Sequence, residues 1–165
     1  MNKSKMIAFT GVCTALALIL AYIEILIPPL FPAVPGIKMG LPNIIIVFLL
    51  YKRGPFSAIL VSLLRTVLVT ILFGNAMAFM YSLAGSILSL AVMILLRKLN
   101  FLSTVGVSVA GAVAHNIGQT LMAMILLDTS QIAYYMVVLT ISGTIAGVFI
   151  GICGSLLIKR VPNKP

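Results

Sequence analysis

The chain has 165 residues, of which 62% are hydrophobic and only 8% charged, whereas a soluble domain carries about 25% charged residues. That composition excludes a soluble globular domain and predicts an integral membrane protein. The net charge of +9 comes from short basic clusters set between apolar runs, which is the pattern of cytoplasmic loops rather than of a nucleic-acid surface.

The scarcity of other chemical groups excludes further classes. Glu24 and Asp128 are the two acids and His115 the one histidine, too few and too scattered for a metal centre or for aspartate-rich magnesium chemistry. No phosphate-loop glycine pattern and no paired-carboxylate motif is present, so neither an enzyme activity nor a cofactor is expected. Cys13 and Cys153 lie inside apolar runs and read as small packing residues. The apolar runs are too long and too unalternating for barrel strands. The expected fold class is all-α: one polytopic domain over residues 1–165 with six membrane helices.

In chain order, the first helix is expected over 6–27, retained and not cleaved as a signal peptide. It carries Cys13, Ala17 and Ala21 four residues apart and Glu24 near its end, and Pro28 and Pro29 stop it. Leu30 to Lys38 is rich in Pro and Gly but too apolar for an ordinary solvated loop. It is either a lid folded back over the membrane face or a stiff, partly buried connection. The second helix, 39–51, is short for a span and is expected to borrow residues from that loop; Pro42 suits its first turn. A basic turn at Lys52-Arg53-Gly54-Pro55 leads to the third helix, 56–73, with Arg65 near its centre.

After the minimal turn Gly74-Asn75, the fourth helix runs over 76–96 with a small-residue side at Ala78, Ser82, Gly85 and Ser89. The fifth, 104–127, combines the stripe Gly106, Ala110, Ala114 and Gly118 with the polar residues His115, Asn116 and Gln119. The sixth, 132–158, carries Gly143, Gly147, Gly151 and Ser155. Small residues at such spacing let helix backbones approach closely in a membrane. Lys3, Lys5, Lys52, Arg53, Arg97, Lys98, Lys159, Arg160 and Lys164 fall on one side of six alternating spans, which places both termini in the cytoplasm of a plasma-membrane protein. No internal repeat is evident.

This topology gathers the intramembrane polar residues, with Tyr81 and Ser82, in the outer half, above an inner half expected to be almost purely apolar. Glu24, Lys38, Asn43, Arg65, His115, Asn116 and Gln119 are the candidate solute-binding residues. A central arginine costs about 2.5 kcal/mol or more on insertion scales. Arg65 is therefore expected either to pair with Glu24 or to bind an anionic solute through its planar fork. His115 is a hydrogen-bonded core residue or a solute ligand, and Gln119 shares its face one turn on. Asn116 points partly aside, towards a neighbouring helix. Asn43 either caps its helix or lines the cavity.

Three stretches carry a family resemblance: Lys38-Met-Gly-Leu-Pro-Asn43-Ile, Ser62-Leu-Leu-Arg65 followed by Leu72-Phe-Gly74, and Ala114-His-Asn-Ile-Gly-Gln119, together with Ser82-Leu-Ala-Gly85. In their order and spacing they resemble the Gx transporter family, often labelled heptaprenyl diphosphate synthase component I. That family is similar to the membrane substrate-binding (S) components of energy-coupling factor (ECF) transporters. The resemblance implies a six-helix S-component bundle that captures a small micronutrient or a quinone-pathway precursor on the outer side. Its implied partners are a transmembrane coupling subunit and two cytoplasmic ATPase subunits. It also implies a docking face of small residues on the first helix, where Cys13, Ala17 and Ala21 stand. The other label points to a second reading, a non-catalytic membrane partner of a polyprenyl diphosphate synthase or of quinone biosynthesis. A self-sufficient carrier or small channel is a third.

Overall fold

A computed structural model describes residues 3–27 and 39–161; the expected connection up to Lys38, and Lys164, lie outside the described residues. The described chain is helical throughout: α1 (Lys3–Leu26), α2 (Asn43–Lys52), α3 (Pro55–Phe73), α4 (Ala76–Leu99), α5 (Thr104–Leu126), a 3-10 turn (Ser130–Tyr135) and α6 (Met136–Arg160). Local chemistry sets most of these boundaries. Pro55 at the first position of α3 follows Gly54 at φ +97, since proline starts a helix without losing a bonded amide. Asn75 caps α4 by accepting from the Ala78 amide (2.8 Å), and Ser103 caps α5 by accepting from Gly106 (3.2 Å). The sixth expected helix opens as the 3-10 turn, a common form at helix starts, and becomes α-helical at Met136.

Five helices are long and apolar enough to cross a bilayer: α1, α3, α4, α5 and α6. Their outward residues confirm the character of the surroundings, with Ile7, Phe56, Ile71 and Ile125 each more than two-thirds exposed. An apolar belt of that extent has a stable neighbour only in lipid.

The second helix departs from expectation. It has 10 residues, about 15 Å of rise against a hydrocarbon core of about 30 Å. Residues 39–42 do not extend it. Gly40 takes φ +71, a left-handed conformation incompatible with a continuing helix, and the amides of Asn43, Ile44 and Ile45 bond to the carbonyls of Gly40, Leu41 and Pro42. From Ile45 to Leu50 every residue of α2 is buried. A helix that is apolar all round must be enclosed, and α2 is wedged among α1, α3 and α6.

The remaining helices pack in the order α1, α3, α4, α5, α6, with glycines at the tightest crossings. A methyl on Gly118 would lie 2.8 Å from the Ala84 carbonyl, and methyls on Gly147 and Gly151 would each lie 2.7 Å from a Cα of α5. The stripe expected on α5 is only partly used. Gly118 and Ala114 are buried, but Gly106 meets only Leu102 just ahead of its own helix, and it is Gly111 that receives Met93 of α4.

The small residues of α1 pack within the chain. Cys13, Ala17 and Ala21 are 4%, 0% and 6% exposed and face into the bundle, where α1 lies on α3 and α2. Small side chains serve close packing inside the chain as well as between chains, and here they serve the former.

The ends of the bundle differ in charge. The Arg53 guanidinium stacks 4.7 Å from the Phe9 ring centroid near the start of α1. Arg97 at the end of α4 lies 5.3 Å from the Tyr51 ring, and Gly151 of α6 packs on Val105 at the start of α5. The start of α1, the α2–α3 turn, the end of α4 and the end of α6 therefore share one end, which carries Lys5, Lys52, Arg53, Arg97, Lys98, Lys159 and Arg160. Glu24 and Asp128 lie towards the other end.

Candidate ligand-binding cavity

A cavity of about 140 Å³ lies in the half of the bundle away from the basic end. All six helices and the turn before α2 contribute to its wall. From α1 come Ala21, Glu24 and Ile25; from the turn before α2 come Met39, Gly40 and Pro42, with Asn43 opening the helix. Arg65, Thr66, Val69 and Thr70 come from α3 and Ser82 from α4. Ala112, His115, Asn116 and Gln119 come from α5, and Gly143, Ala146 and Ile150 from α6. The spacings of three and four residues on α1 and α5 are those that share a helix face.

Six residues expected from the sequence thus meet at one place: Glu24, Asn43, Arg65, His115, Asn116 and Gln119. Ser82 joins them. Tyr81, its neighbour, does not line the cavity, and Ala21, expected on a docking face, does. Lys38 lies outside the described residues. Thr66 and Thr70 had not been expected; the signal they gave was a shared face one turn apart on α3, next to the one that carries Arg65. Both hydroxyls donate to carbonyls one turn back, Thr66 to Ser62 (2.9 Å) and Thr70 to Thr66 (2.8 Å), so they sit in an apolar helix at little cost.

Arg65 is the electrostatic centre. Its side chain is partly buried, its Nε is fully buried, and among the described residues that Nε has no hydrogen-bond partner. A buried unsatisfied donor costs about 1–3 kcal/mol, and more when charged. Glu24 lines the same cavity, and it accepts a hydrogen bond from the Gly40 amide. That bond ties the chain ahead of α2 to the end of α1.

The α5 residues divide by role. The Asn116 amide donates to the Leu139 carbonyl of α6 at 2.6 Å, so it clamps two helices while forming part of the wall. Gly143 makes room for it, because a methyl there would lie 2.5 Å from the Asn116 nitrogen. His115 and Gln119 are backed by Gly85 of α4, where a methyl would stand 2.8 Å from Gln119 Cγ and 3.0 Å from His115 Cε1.

Towards the basic end, beyond the residues that line the cavity, the bundle is filled by core residues such as Ile46, Leu49, Leu50, Val61, Met93 and Val107, each no more than 3% exposed. The sequence led us to expect this half to be almost purely apolar, and a few hydroxyls are found among its apolar side chains. Ser62, Ser89 and Ser108 are buried there too. They are neutral hydroxyls and contribute no charge.

A model of the family described as "Heptaprenyl diphosphate synthase component I" matches residues 13–157. The chain belongs to that family. The match takes in nearly all of the helical bundle and every residue that lines the cavity, so the polar chamber of this component I protein lies within the part that defines its family. No curated protein and no solved structure gives a significant match.

Proposed function

We propose that this component I family member is a membrane-embedded solute-binding subunit, equivalent in role to the S component of an ECF-type uptake transporter. It would capture a small micronutrient or a quinone-pathway precursor from outside the cell. A coupling subunit and two ATPase subunits would supply the energy. The observation that carries this reading is the cavity itself: polar side chains from α1, the start of α2, α3, α4 and α5, gathered around a buried Arg65 Nε with no hydrogen-bond partner among the described residues, above a tightly packed apolar core. A channel would favour a polar route through both halves, and a self-sufficient carrier a second access route. A chamber closed on one side suits capture and hand-over.

The basic end supports a plasma-membrane orientation with that end in the cytoplasm. Lys3 and Arg160 then both start and finish on the inner side, and the cavity lies in the outer leaflet half. The family description favours a second reading, a non-catalytic membrane partner of a prenyl diphosphate synthase. Against it, the described wall offers one guanidinium and one carboxylate, a poor cradle for a diphosphate.

The test is purification of the full chain from its own cells in mild detergent. Mass spectrometry would identify retained small molecules, and the co-purified polypeptides would be sequenced. A retained solute together with coupling and ATPase subunits is the expected result. Recovery of a prenyl synthase subunit and a polyprenyl lipid instead would replace the transporter reading with the second one.

A further inference from the structure

We infer that the cavity takes a compact monocarboxylate with an apolar body, its carboxylate held by Arg65. The inference rests on the solute-binding reading above and narrows it to a chemical class. Size is the first constraint. A cavity of about 140 Å³ matches an engineered cavity of about 150 Å³ that holds benzene, so the enclosed part of the ligand is on the scale of one six-membered ring. Wall chemistry is the second. Beside its polar groups the cavity presents Val69, Ala112, Ala146 and Ile150, an apolar surface that a wholly polar solute would leave unused.

Charge is the third constraint. Arg65 supplies one positive charge and a buried Nε in need of an acceptor, and a planar fork meets a carboxylate through two parallel bonds. The start of α2 at the cavity adds the positive end of a helix dipole. Glu24 in the same wall opposes any ligand of higher negative charge. One guanidinium beside one carboxylate sums to zero formal charge, so only the partial positive charge at the start of α2 is left to favour a monoanion, and a diphosphate or phosphate dianion would carry far more uncompensated charge in a medium where charge is poorly screened.

The test uses the full chain in lipid nanodiscs with three probes: sodium benzoate, benzamide as its uncharged counterpart, and sodium pyrophosphate. Binding is read by calorimetry and by the ligand-induced rise in melting temperature. Benzoate is expected to bind at least about tenfold more tightly than benzamide, and pyrophosphate not to bind. Arg65→Leu should abolish benzoate binding. Arg65→Lys keeps the charge and the fold but lacks the fork, and should weaken benzoate about tenfold; it decides the matter if the leucine variant does not fold. Equal binding of benzoate and benzamide, wild-type affinity in Arg65→Lys, or no binding of benzoate overturns the assignment. Preference for pyrophosphate overturns it too, yet leaves a solute site in place. A natural solute retained equally by wild type and Arg65→Leu would remove Arg65 from solute recognition and return the ligand class to open choice.

Discussion

Replacing Gly85 with alanine separates the making of the cavity from the stability of the helix bundle. The new methyl would stand 2.8 Å from Gln119 Cγ, 2.9 Å from the His115 carbonyl and 3.0 Å from His115 Cε1, where ordinary contact begins at 3.4 Å. The Gln119 side chain can swing aside by the missing distance of about 0.6 Å, but the His115 carbonyl belongs to the α5 backbone, so the helix itself must yield. Overpacking of this kind costs about 1–3 kcal/mol. Because His115 and Gln119 both line the cavity, the displacement runs into the binding volume. Ligand affinity should therefore fall by more than the loss of stability alone explains, by about tenfold or more, since small misplacements of binding groups are expensive. Titration of the retained solute into the purified variant, beside its unfolding curve in detergent, measures both. A Gly85→Ala protein that melts and binds as wild type would show that α4 does not set the position of these two side chains.

Three further outcomes follow from the same packing. Gly143→Ala should lower stability by about 1–3 kcal/mol, because the methyl evicts the Asn116 amide from its bond to Leu139 and leaves a buried donor unmet; Asn116→Ala in the same background should cost little more, which a double-mutant cycle in unfolding reads directly. Gly40→Ala should cost about 1–2 kcal/mol, because the backbone there holds φ +71. It should also weaken ligand binding, since Gly40 presents its amide to Glu24 at the cavity wall; unchanged melting and binding would remove this turn from the site. With Cys13 and Cys153 replaced by alanine, Asp128→Cys should react with a membrane-impermeant maleimide on intact cells and Lys98→Cys should not. The reverse labelling pattern would invert the proposed orientation.

Much of the fold was legible because hydropathy and length act on each helix separately. Apolar runs ended by Gly74-Asn75, by Arg97-Lys98 and by the polar turn after Leu127 can only be long membrane helices. The polar set was legible for a related reason: Arg65, His115 and Gln119 are costly in hydrocarbon, so each must face protein or a cavity, and facing inwards brings them together. What the sequence could not show was mutual geometry. A stripe such as Cys13, Ala17 and Ala21 declares that something approaches closely without saying what, and the neighbours turned out to be α3 and α2. The length of α2 was hidden because Met39 to Pro42 is apolar enough to continue a helix, and only the left-handed turn at Gly40 stops it. Gly85 and Gly143 looked like packing residues alone, because their effect on the site passes through side chains of α5.

The shortness of α2 explains where the chamber comes from. A helix of full length in that position would fill the upper storey of the bundle as it fills the lower, and no space would remain between Glu24, Arg65 and Gln119. Among the described residues, the start of α2 at Asn43 leaves the upper storey to the turn Met39 to Pro42 and to the cavity, bounded by five longer neighbours. On the solute-binding reading proposed above, the ligand would stand in for turns of helix that α2 lacks. Changes at Met39, Gly40 or Asn43 can therefore reshape what is admitted while the tightly packed lower half, from Ile45 to Leu50, goes on holding the protein together.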